Sequence, residues 1–309
     1  MPKTLTQKAD IIFIVGPTAC GKTRLAIRLA RKINGEIISC DSMQVYKGLA
    51  RLSQAPTPSD KKKVRHHLIG FREPSREYSV ASFRKEASRL VKKIMARRKT
   101  PIFAGGSGLY AKVLIDGLFP SPKADLTFRA KMARIAKRRG NIELHKMLVK
   151  TDPNSAANIH PNDIRRIIRA LEIQHTTGST MTELKARTKG LKDKYCISIY
   201  GIVHPREEIY DRINKRVEDM FKMGVVNEVR RSANKRLSKT AGLMLGLREI
   251  RSHLDGEADL IETKELIKVN TRRFAKRQLT WFRADKRIVW LDGSKMSEGE
   301  MVKRIARSS

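Results

Sequence analysis

The chain has 309 residues, of which 66 are Lys or Arg and 31 are Asp or Glu, so its formal net charge is +35. With 40% hydrophobic residues the chain can bury a sizeable core, enough for about two domains, which excludes a disordered polymer. Three widely spaced cysteines and the lack of any run near the roughly 18 apolar residues of a membrane span exclude a disulfide scaffold and a membrane protein.

The net charge and the N-terminal residues lead to two further expectations. A charge of +35 needs an anionic counterpart, and a polyphosphate fits, although a generally basic surface would give the same composition. The first ten residues lack the apolar segment of an export signal, so we expect a cytoplasmic protein.

A phosphate-binding loop follows the first predicted strand. The apolar run Ile11–Val15 leads into the spacing G-x-x-x-x-G-K-T, and residues 23–33 then show helical periodicity. Loop amides and the positive end of that helix converge on an anion, Lys22 can reach terminal phosphates, and the Thr23 hydroxyl can bind magnesium. The predicted diphosphate-binding residues are the whole loop: Gly16, Pro17, Thr18, Ala19, Cys20, Gly21, Lys22 and Thr23. The motif leaves open whether the phosphate is transferred, hydrolysed or released.

An acidic residue follows the second predicted strand. Residues 36–40 read as a short strand that delivers Asp41 to its end, and residues 41–49, DSMQVYKGL, should lie in the crevice where open α/β sheets bind ligands. Asp41 can be a helix N-cap, a metal ligand or a general base, and its sequence context does not choose among them.

Three further features precede residue 119. His66 and His67 are adjacent on an extended segment and point to opposite faces, which predicts one structural and one site-facing histidine. Residues 78–98 predict an amphipathic helix capped by Ser79 or Ser82. The strand at 101–104 runs into GGSG, which is either a second anion-binding turn or a turn that needs positive φ.

From about residue 119 the composition shifts to basic helices without a convincing strand up to about residue 194. Within this region NDIRRIIRALE, residues 162–172, places Arg165, Arg166 and Arg169 around the side opposite its isoleucines. Such guanidinium groups can bind successive phosphates, although a solvated basic helix has the same pattern.

Strand patterns return at residues 196–203 and 287–292, and between them residues 270–283 mix basic with aromatic side chains. We therefore predict an α/β fold: a parallel sheet core with the phosphate-binding loop, formed by residues 1–118 and 195–309, with a helical insertion at 119–194.

Six blocks, in this order, resemble the tRNA dimethylallyltransferase family: GPTACGKT, DSMQVYKGL, HHLI with EYSVASF, GGSGLY, NDIRRIIRALEI and TRRFAKRQLTWF. The resemblance covers residues 11–283 and implies a P-loop, nucleotide-kinase-like fold for the sheet core. It implies transfer of the dimethylallyl group from dimethylallyl diphosphate to N6 of adenosine 37 in tRNA, with release of pyrophosphate. The chain departs from the usual family sequence within residues 50–70 and 241–249, and at Ser107, where Thr is usual.

The resemblance also implies roles for individual residues. Asp41 is the expected general base, the catalytic set is Asp41, Lys22, Thr23 and Ser107, and Mg²⁺ is expected at Thr23. The helical insertion is expected to contact the anticodon stem-loop of tRNA. The implied tRNA contacts are Asp41, Ser42, Met43, Gln44, Ser107, Arg129, Arg165, Arg166, Ile167, Ile168 and Arg169.

Other functions use the same loop. A prenyltransferase of free adenine nucleotides, a P-loop small-molecule kinase and a non-catalytic RNA-binding protein are the alternatives. The basic insertion and the charge of +35 favour tRNA over a free nucleotide, while the set of Lys22, Thr23 and Asp41 favours an enzyme. We expect a monomer without membrane attachment.

Overall fold

The computed structural model describes residues 9–119, 122–232 and 236–307. Six strands of these residues form one all-parallel sheet, in the order β3-β2-β4-β1-β5-β6. The strands are β1 (Ile11–Val15), β2 (Gly35–Ser39), β3 (His66–His67), β4 (Thr100–Gly105), β5 (Ile197–Val203) and β6 (Ile288–Asp292). The predicted α/β fold with a parallel sheet is confirmed.

Helices cover both faces of the sheet, and further helices form a separate group of their own. They are α1 (Lys22–Lys32), α2 (Pro58–Lys63), α3 (Val80–Ala96), α4 (Gly108–Asp116), α5 (Leu126–Arg139), α6 (Asn141–Thr151), α7 (Pro153–Ala157), α8 (Ile164–Thr177), α9 (Met181–Ala186), α10 (Arg206–Lys222), α11 (Val225–Arg230), α12 (Leu247–Leu254), α13 (Leu260–Arg283) and α14 (Glu298–Ala306), with 3₁₀ turns at Leu191–Asp193 and Ala241–Leu243. In the described part of the chain, no helix combines the length and apolar character that a membrane crossing requires.

The central strand β1 shows why the sheet is buried on both faces. Its side chains alternate, so that Ile11 and Phe13 join one core cluster and Ile12 and Ile14 the other. An uninterrupted apolar run is what a parallel strand with helices on both faces requires.

The chain divides into two compact units. One comprises Met1–Ile115 and Leu191–Ser309 and contains the sheet, and the other is the helical unit Asp116–Gly190. The composition shift suggested 119–194 for the insertion. The helical unit ends earlier because Leu191 packs into a core cluster of the sheet unit.

Strand register brings three loops to one edge of the sheet. Val15 lies opposite Gly105 on β4 and Gly201 on β5, while Ser39 of β2 lies opposite Ala104. The segments that follow β1, β2 and β4 are therefore neighbours at the carboxyl edge, where parallel α/β sheets bind ligands.

Candidate active site

The phosphate loop depends on two glycines. At Gly16, φ is 141°, and a Cβ atom would lie 2.8 Å from the Ile202 carbonyl oxygen, so no larger residue fits. Gly21 has φ 93° at the N-terminus of α1, which begins at Lys22. The spacing read in the sequence therefore corresponds to a strand, a turn and a helix N-terminus, the geometry that presents amides to an anion.

Side chains from other parts of the sheet unit hold this loop. Thr18 donates its amide to Gln278 Oε1 at 2.8 Å, and its hydroxyl accepts from Arg216 Nη1 at 3.0 Å. Lys22 Nζ donates to the Pro17 carbonyl at 2.5 Å and lies 3.8 Å from Cys20 Sγ. The Lys22 ammonium has three donors, so it can bind phosphate oxygens in addition to this carbonyl.

Asp41 lies in the turn after β2 and does not cap a helix, since the next helix in this described region is α2. Its Oδ1 accepts the Met43 amide at 2.8 Å, a bond that fixes the carboxylate within the turn. Of the three roles left open by the sequence, the helix N-cap is wrong. Next to it, burial raises the pKa of the Cys40 thiol, and the Asp41 charge adds to that effect, so Cys40 is a neutral packing residue.

The glycines of the second turn are required by close contacts rather than by φ. None of Gly105, Gly106 and Gly108 has positive φ, so the prediction of a positive-φ turn is wrong. A Cβ atom would lie 2.0 Å from the Cys40 carbonyl oxygen at Gly105 and 2.1 Å from the Trp281 ring at Gly108. The turn thus packs directly against the segment that carries Asp41.

Ser107 links the second turn to the DSMQ segment. Its Oγ accepts the Ser42 amide at 3.1 Å and lies 3.5 Å from the Ser42 hydroxyl, and its own amide donates to the Cys40 carbonyl at 3.2 Å. Gln44 also contributes to the local structure, accepting from Ser39 at 2.8 Å and donating to the Gln54 carbonyl at 3.2 Å.

These loops surround a cavity of about 1250 Å³ in the sheet unit. It brings together ten of the predicted site residues: Thr18, Ala19, Gly21, Lys22, Thr23, Asp41, Ser42, Met43, Gln44 and Ser107. Gly16, Pro17 and Cys20 shape the loop without lining the cavity. Some of the departures from the family sequence also lie here, since Leu52, Gln54 and the stretch 242–245 line the wall.

Arg216 is a site residue that the sequence did not reveal. It lies on α10 and donates to Gln54 Oε1 at 2.5 Å as well as to Thr18. Burial lowers the pKa of its guanidinium, while Asp41 and Cys20 raise it, and an arginine with these opposing influences stays charged at neutral pH. No carboxylate of the described residues forms an ion pair with it, so Arg216 adds a positive charge to the cavity that only more distant carboxylates such as Asp41 offset.

The two histidines have the predicted division. His67 Nε2 lies 2.7 Å from Oε2 of Glu36, a buried carboxylate that also pairs with Arg97 and Lys99. His66 hydrogen-bonds the Val64 carbonyl at 2.8 Å and lines the cavity.

In the helical unit, the predicted tRNA contacts have different surroundings. Arg165 and Arg166 are exposed on α8, and Arg166 pairs with Asp163 at 3.1 Å. Ile168 is half-buried. Ile167 has 0% exposure and packs in the core of this unit, so it is a structural residue, and the expectation of a direct tRNA contact at Ile167 is corrected.

Arg129 and Arg169 are held by a single buried carboxylate. Glu172, with 0% exposure, accepts two hydrogen bonds from Arg129 at 2.8 and 2.9 Å, one from Arg169, and the Asp125 amide at 2.7 Å. Burial raises the pKa of Glu172, but the hydrogen bonds from Arg129, Arg169 and Asp125 outweigh burial and lower it to about 2. Glu172 was not predicted, because its partner Arg129 lies 43 residues away in the chain.

The oxygen donors near the loop fit a metal that binds mainly through its substrate. No cluster of three or more His, Cys, Asp or Glu side chains within residues 9–119, 122–232 and 236–307 is arranged to hold a metal ion. Magnesium usually takes one or two protein oxygens together with phosphate oxygens and water. The Thr23 hydroxyl, which lines the cavity, fits that donor set.

The fold defines the class of protein: an α/β protein of the P-loop type, with the loop after the central strand of a parallel sheet. The IPP transferase family model matches residues 44–285, most of the chain. The chain therefore belongs to the IPP transferase family.

Named relatives agree with this assignment. The tRNA dimethylallyltransferase of Carboxydothermus hydrogenoformans is 46% identical over 96% of both chains. The crystal structure of a full-length tRNA isopentenylpyrophosphate transferase from Bacillus halodurans matches with TM-score 0.72 and 36% identity, covering 97% of both chains. A eukaryotic dimethylallyltransferase described as acting on tRNA matches with TM-score 0.76 and 28% identity, covering 95% of this chain and 77% of that one. The predicted family and transferase class are confirmed.

Proposed function

We propose that this chain transfers the dimethylallyl group from dimethylallyl diphosphate to N6 of adenosine 37 in tRNA and releases pyrophosphate. The observation that carries the proposal is the shared cavity of Lys22, Thr23, Asp41, Ser107 and Arg216 in a member of the IPP transferase family. An enzyme that transfers an alkyl group from an anionic leaving group to a neutral nucleophile needs cations on the leaving-group side of the reacting carbon and a base on the nucleophile side.

Asp41 is the proposed general base. The N6 lone pair forms a bond to C1 of the dimethylallyl group, the C1–O bond breaks, and the diphosphate leaves with the bonding electrons. The Asp41 carboxylate accepts a proton from N6, which would otherwise carry positive charge. The bond from the Met43 amide to Oδ1 supports this role, because it orients the carboxylate without using Oδ2.

The phosphate loop and Arg216 are the proposed binding groups for the diphosphate. Negative charge on the leaving group grows as the C1–O bond breaks, so a guanidinium and loop amides that are already oriented stabilise the transition state more than the substrate. Thr23 would hold Mg²⁺ together with diphosphate oxygens, and the ion would supply further charge neutralisation there.

The apolar part of the cavity suits the dimethylallyl group. Its wall includes Leu52, Ile213, Val217, Met220 and Ile267. An apolar wall excludes water from an electrophilic carbon, which protects the allylic group from hydrolysis before the nucleophile binds.

The helical unit is the proposed partner of the anticodon stem-loop. Arg165 and Arg166, together with Arg129 and Arg169, provide guanidinium groups for backbone phosphates, and adenosine 37 must leave its stack to reach Asp41 in the cavity. We further propose that the protein acts as a monomer in the cytoplasm.

The function is tested by offering dimethylallyl diphosphate with unmodified tRNA or AMP, and ATP with the same acceptors, and identifying products by mass. Prenylated tRNA is expected. Prenylated AMP without prenylated tRNA would favour the free-nucleotide enzyme, and a phosphorylated product would favour a kinase.

Asp41→Asn tests the general base. The amide keeps an acceptor for the Met43 N–H but cannot take a proton, so the single-turnover rate should fall by roughly 10² or more, while tRNA binding stays near wild type. Asp211→Asn, an exposed carboxylate on α10, is the matched control and should keep the wild-type rate. An Asp41→Asn variant as fast as this control would remove Asp41 from the chemistry.

A further inference from the structure

Gln278 lies between two loops of the active site. Its sequence context does not indicate this position. It lies on α13, is 6% exposed, and contributes to the cavity wall. Both ends of its amide are used: Oε1 accepts the Thr18 amide at 2.8 Å, and Nε2 donates to the Gly106 carbonyl at 2.9 Å.

The orientation of this amide is determined by its partners. A backbone N–H can only donate and a backbone carbonyl can only accept, so Thr18 must face the oxygen of Gln278 and Gly106 its nitrogen. A Cβ atom at Gly106 would lie 2.1 Å from Nε2 of Gln278. The side chain therefore fits only because residue 106 is glycine.

The two loops joined by Gln278 serve opposite sides of the reacting carbon: one binds the leaving group and the other contacts the segment with the proposed base. Thr18 belongs to the phosphate loop. Gly106 precedes Ser107, whose hydroxyl accepts the amide of Ser42, the residue next to Asp41. One buried amide thus connects the loop for the leaving group with the segment that carries the proposed base.

We propose that Gln278 is a positioning residue that sets the separation between the phosphate loop and the Asp41 segment, so that leaving group and base face each other across the reacting carbon. This role rests on the proposed transfer reaction. Reacting atoms must lie about 3–3.5 Å apart, and a displacement of about 1 Å costs about 10²-fold in rate. Because the Thr18 amide donates to Gln278, it is not available to the diphosphate. Gln278 therefore determines which loop amides bind the diphosphate.

Gln278→Met is the first test. Methionine has nearly the same length but leaves the Thr18 amide and the Gly106 carbonyl without their partner. The single-turnover rate at saturating donor and tRNA should fall about 10–100-fold, with KM for tRNA changed less than about threefold, because the loss is one of alignment. Thr280→Ala, which removes an exposed hydroxyl bonded within α13, is the matched control and should react as fast as wild type.

Gln278→Glu is the second test and separates hydrogen bonding from packing. The introduced carboxylate can accept from Thr18 but cannot donate to Gly106, whereas its protonated form can do both. The rate of Gln278→Glu divided by that of Gln278→Met should therefore rise about tenfold or more as the pH falls from 8 to 5.5, since a buried carboxyl gains its proton in this range. A purely structural role would leave that ratio constant.

Two outcomes would overturn the role of Gln278. One is a Gln278→Met variant, folded by thermal unfolding, whose saturating rate lies within twofold of wild type. The other is a Gln278→Met variant whose only defect is a raised KM for dimethylallyl diphosphate, together with a rate ratio of Gln278→Glu to Gln278→Met that stays constant across pH. Wild-type enzyme in the same assay tests the proposed function separately, because its failure to prenylate tRNA would refute that function and the role that rests on it.

Discussion

Arginines in the two units differ in the hydrogen-bond acceptors that orient their guanidinium groups. Arg216 in the sheet unit donates to neutral acceptors, Gln54 Oε1 and Thr18 Oγ1, whereas Arg129 and Arg169 in the helical unit share the carboxylate of Glu172. Neutral partners orient a guanidinium without reducing its charge, while a buried carboxylate offsets much of it. The sheet unit thus keeps a cation that an incoming anion must balance, and the helical unit uses two of its cations for its own structure.

Arg216→Gln should have the largest effect, because it removes the oriented charge from the cavity. We expect kcat/KM for dimethylallyl diphosphate to fall by about 10²–10³, the usual cost of losing one preorganised group for a developing negative charge. Steady-state kinetics with the donor varied measures this loss.

Arg206→Gln is the matched control. It removes the same formal charge from the first turn of the same helix, where the side chain is exposed and contacts Tyr210. Equal kinetics for the two variants would mean that net charge, rather than the position of Arg216, matters.

The contrast also explains what the sequence could predict. The phosphate loop is local: strand, glycines and helix start lie within thirteen residues, and spacing alone identifies it. Arg216 and Gln278 reach the same loop from 198 and 260 residues away in the chain, a proximity that periodicity does not encode. The tRNA contact expected at Ile167 came from the family resemblance, whereas helical spacing places Ile167 opposite the arginines of α8, on the face that packs against α5 and α6.

Glu172→Gln should have a smaller effect, on stability. Removing the charge leaves two guanidinium groups without their shared anion, and we expect a loss of about 3 kcal/mol in the free energy of unfolding of the helical unit. Glu143→Gln, which removes an exposed i,i+3 pair with Lys146 at 3.6 Å, is the control and should cost at most about 1 kcal/mol. Urea unfolding followed by circular dichroism compares the two.

The pH dependence of unfolding is a second measure of the same ion cluster. The pKa of Glu172 is lowered to about 2 in the folded protein from 4.5, so its contribution is fully present above pH 4.5 and is lost as the pH falls toward 2. The wild-type chain should lose about 2 kcal/mol from this group over that range, less than the full linkage value because both arginines reach solvent. In Glu172→Gln this part of the pH dependence should disappear, and its persistence would assign it to other carboxylates.

Arg165→Ala should have the smallest effect and tests the exposed side of α8. Arg165 forms no ion pair with any residue that the structure describes, and the pair of Arg166 with Asp163 is solvent-exposed and weak. Removing Arg165 should leave stability unchanged, weaken tRNA binding only several-fold, and reduce the slope of log K against log salt by about 0.7–0.9, the value for one phosphate contact.

Arg304→Ala, an exposed arginine on α14 of the sheet unit, is the control for the loss of one formal charge. Filter binding of unmodified tRNA between low and moderate salt gives both slopes. If Arg165→Ala and Arg304→Ala keep the wild-type slope, phosphates do not contact this side of α8, and the cations tied to Glu172 would be the stronger candidates. A reduced slope for Arg165→Ala alone would show that RNA phosphates contact this side of α8 through Arg165, whose guanidinium can bind an anion without giving up an ion pair with any carboxylate that the structure describes.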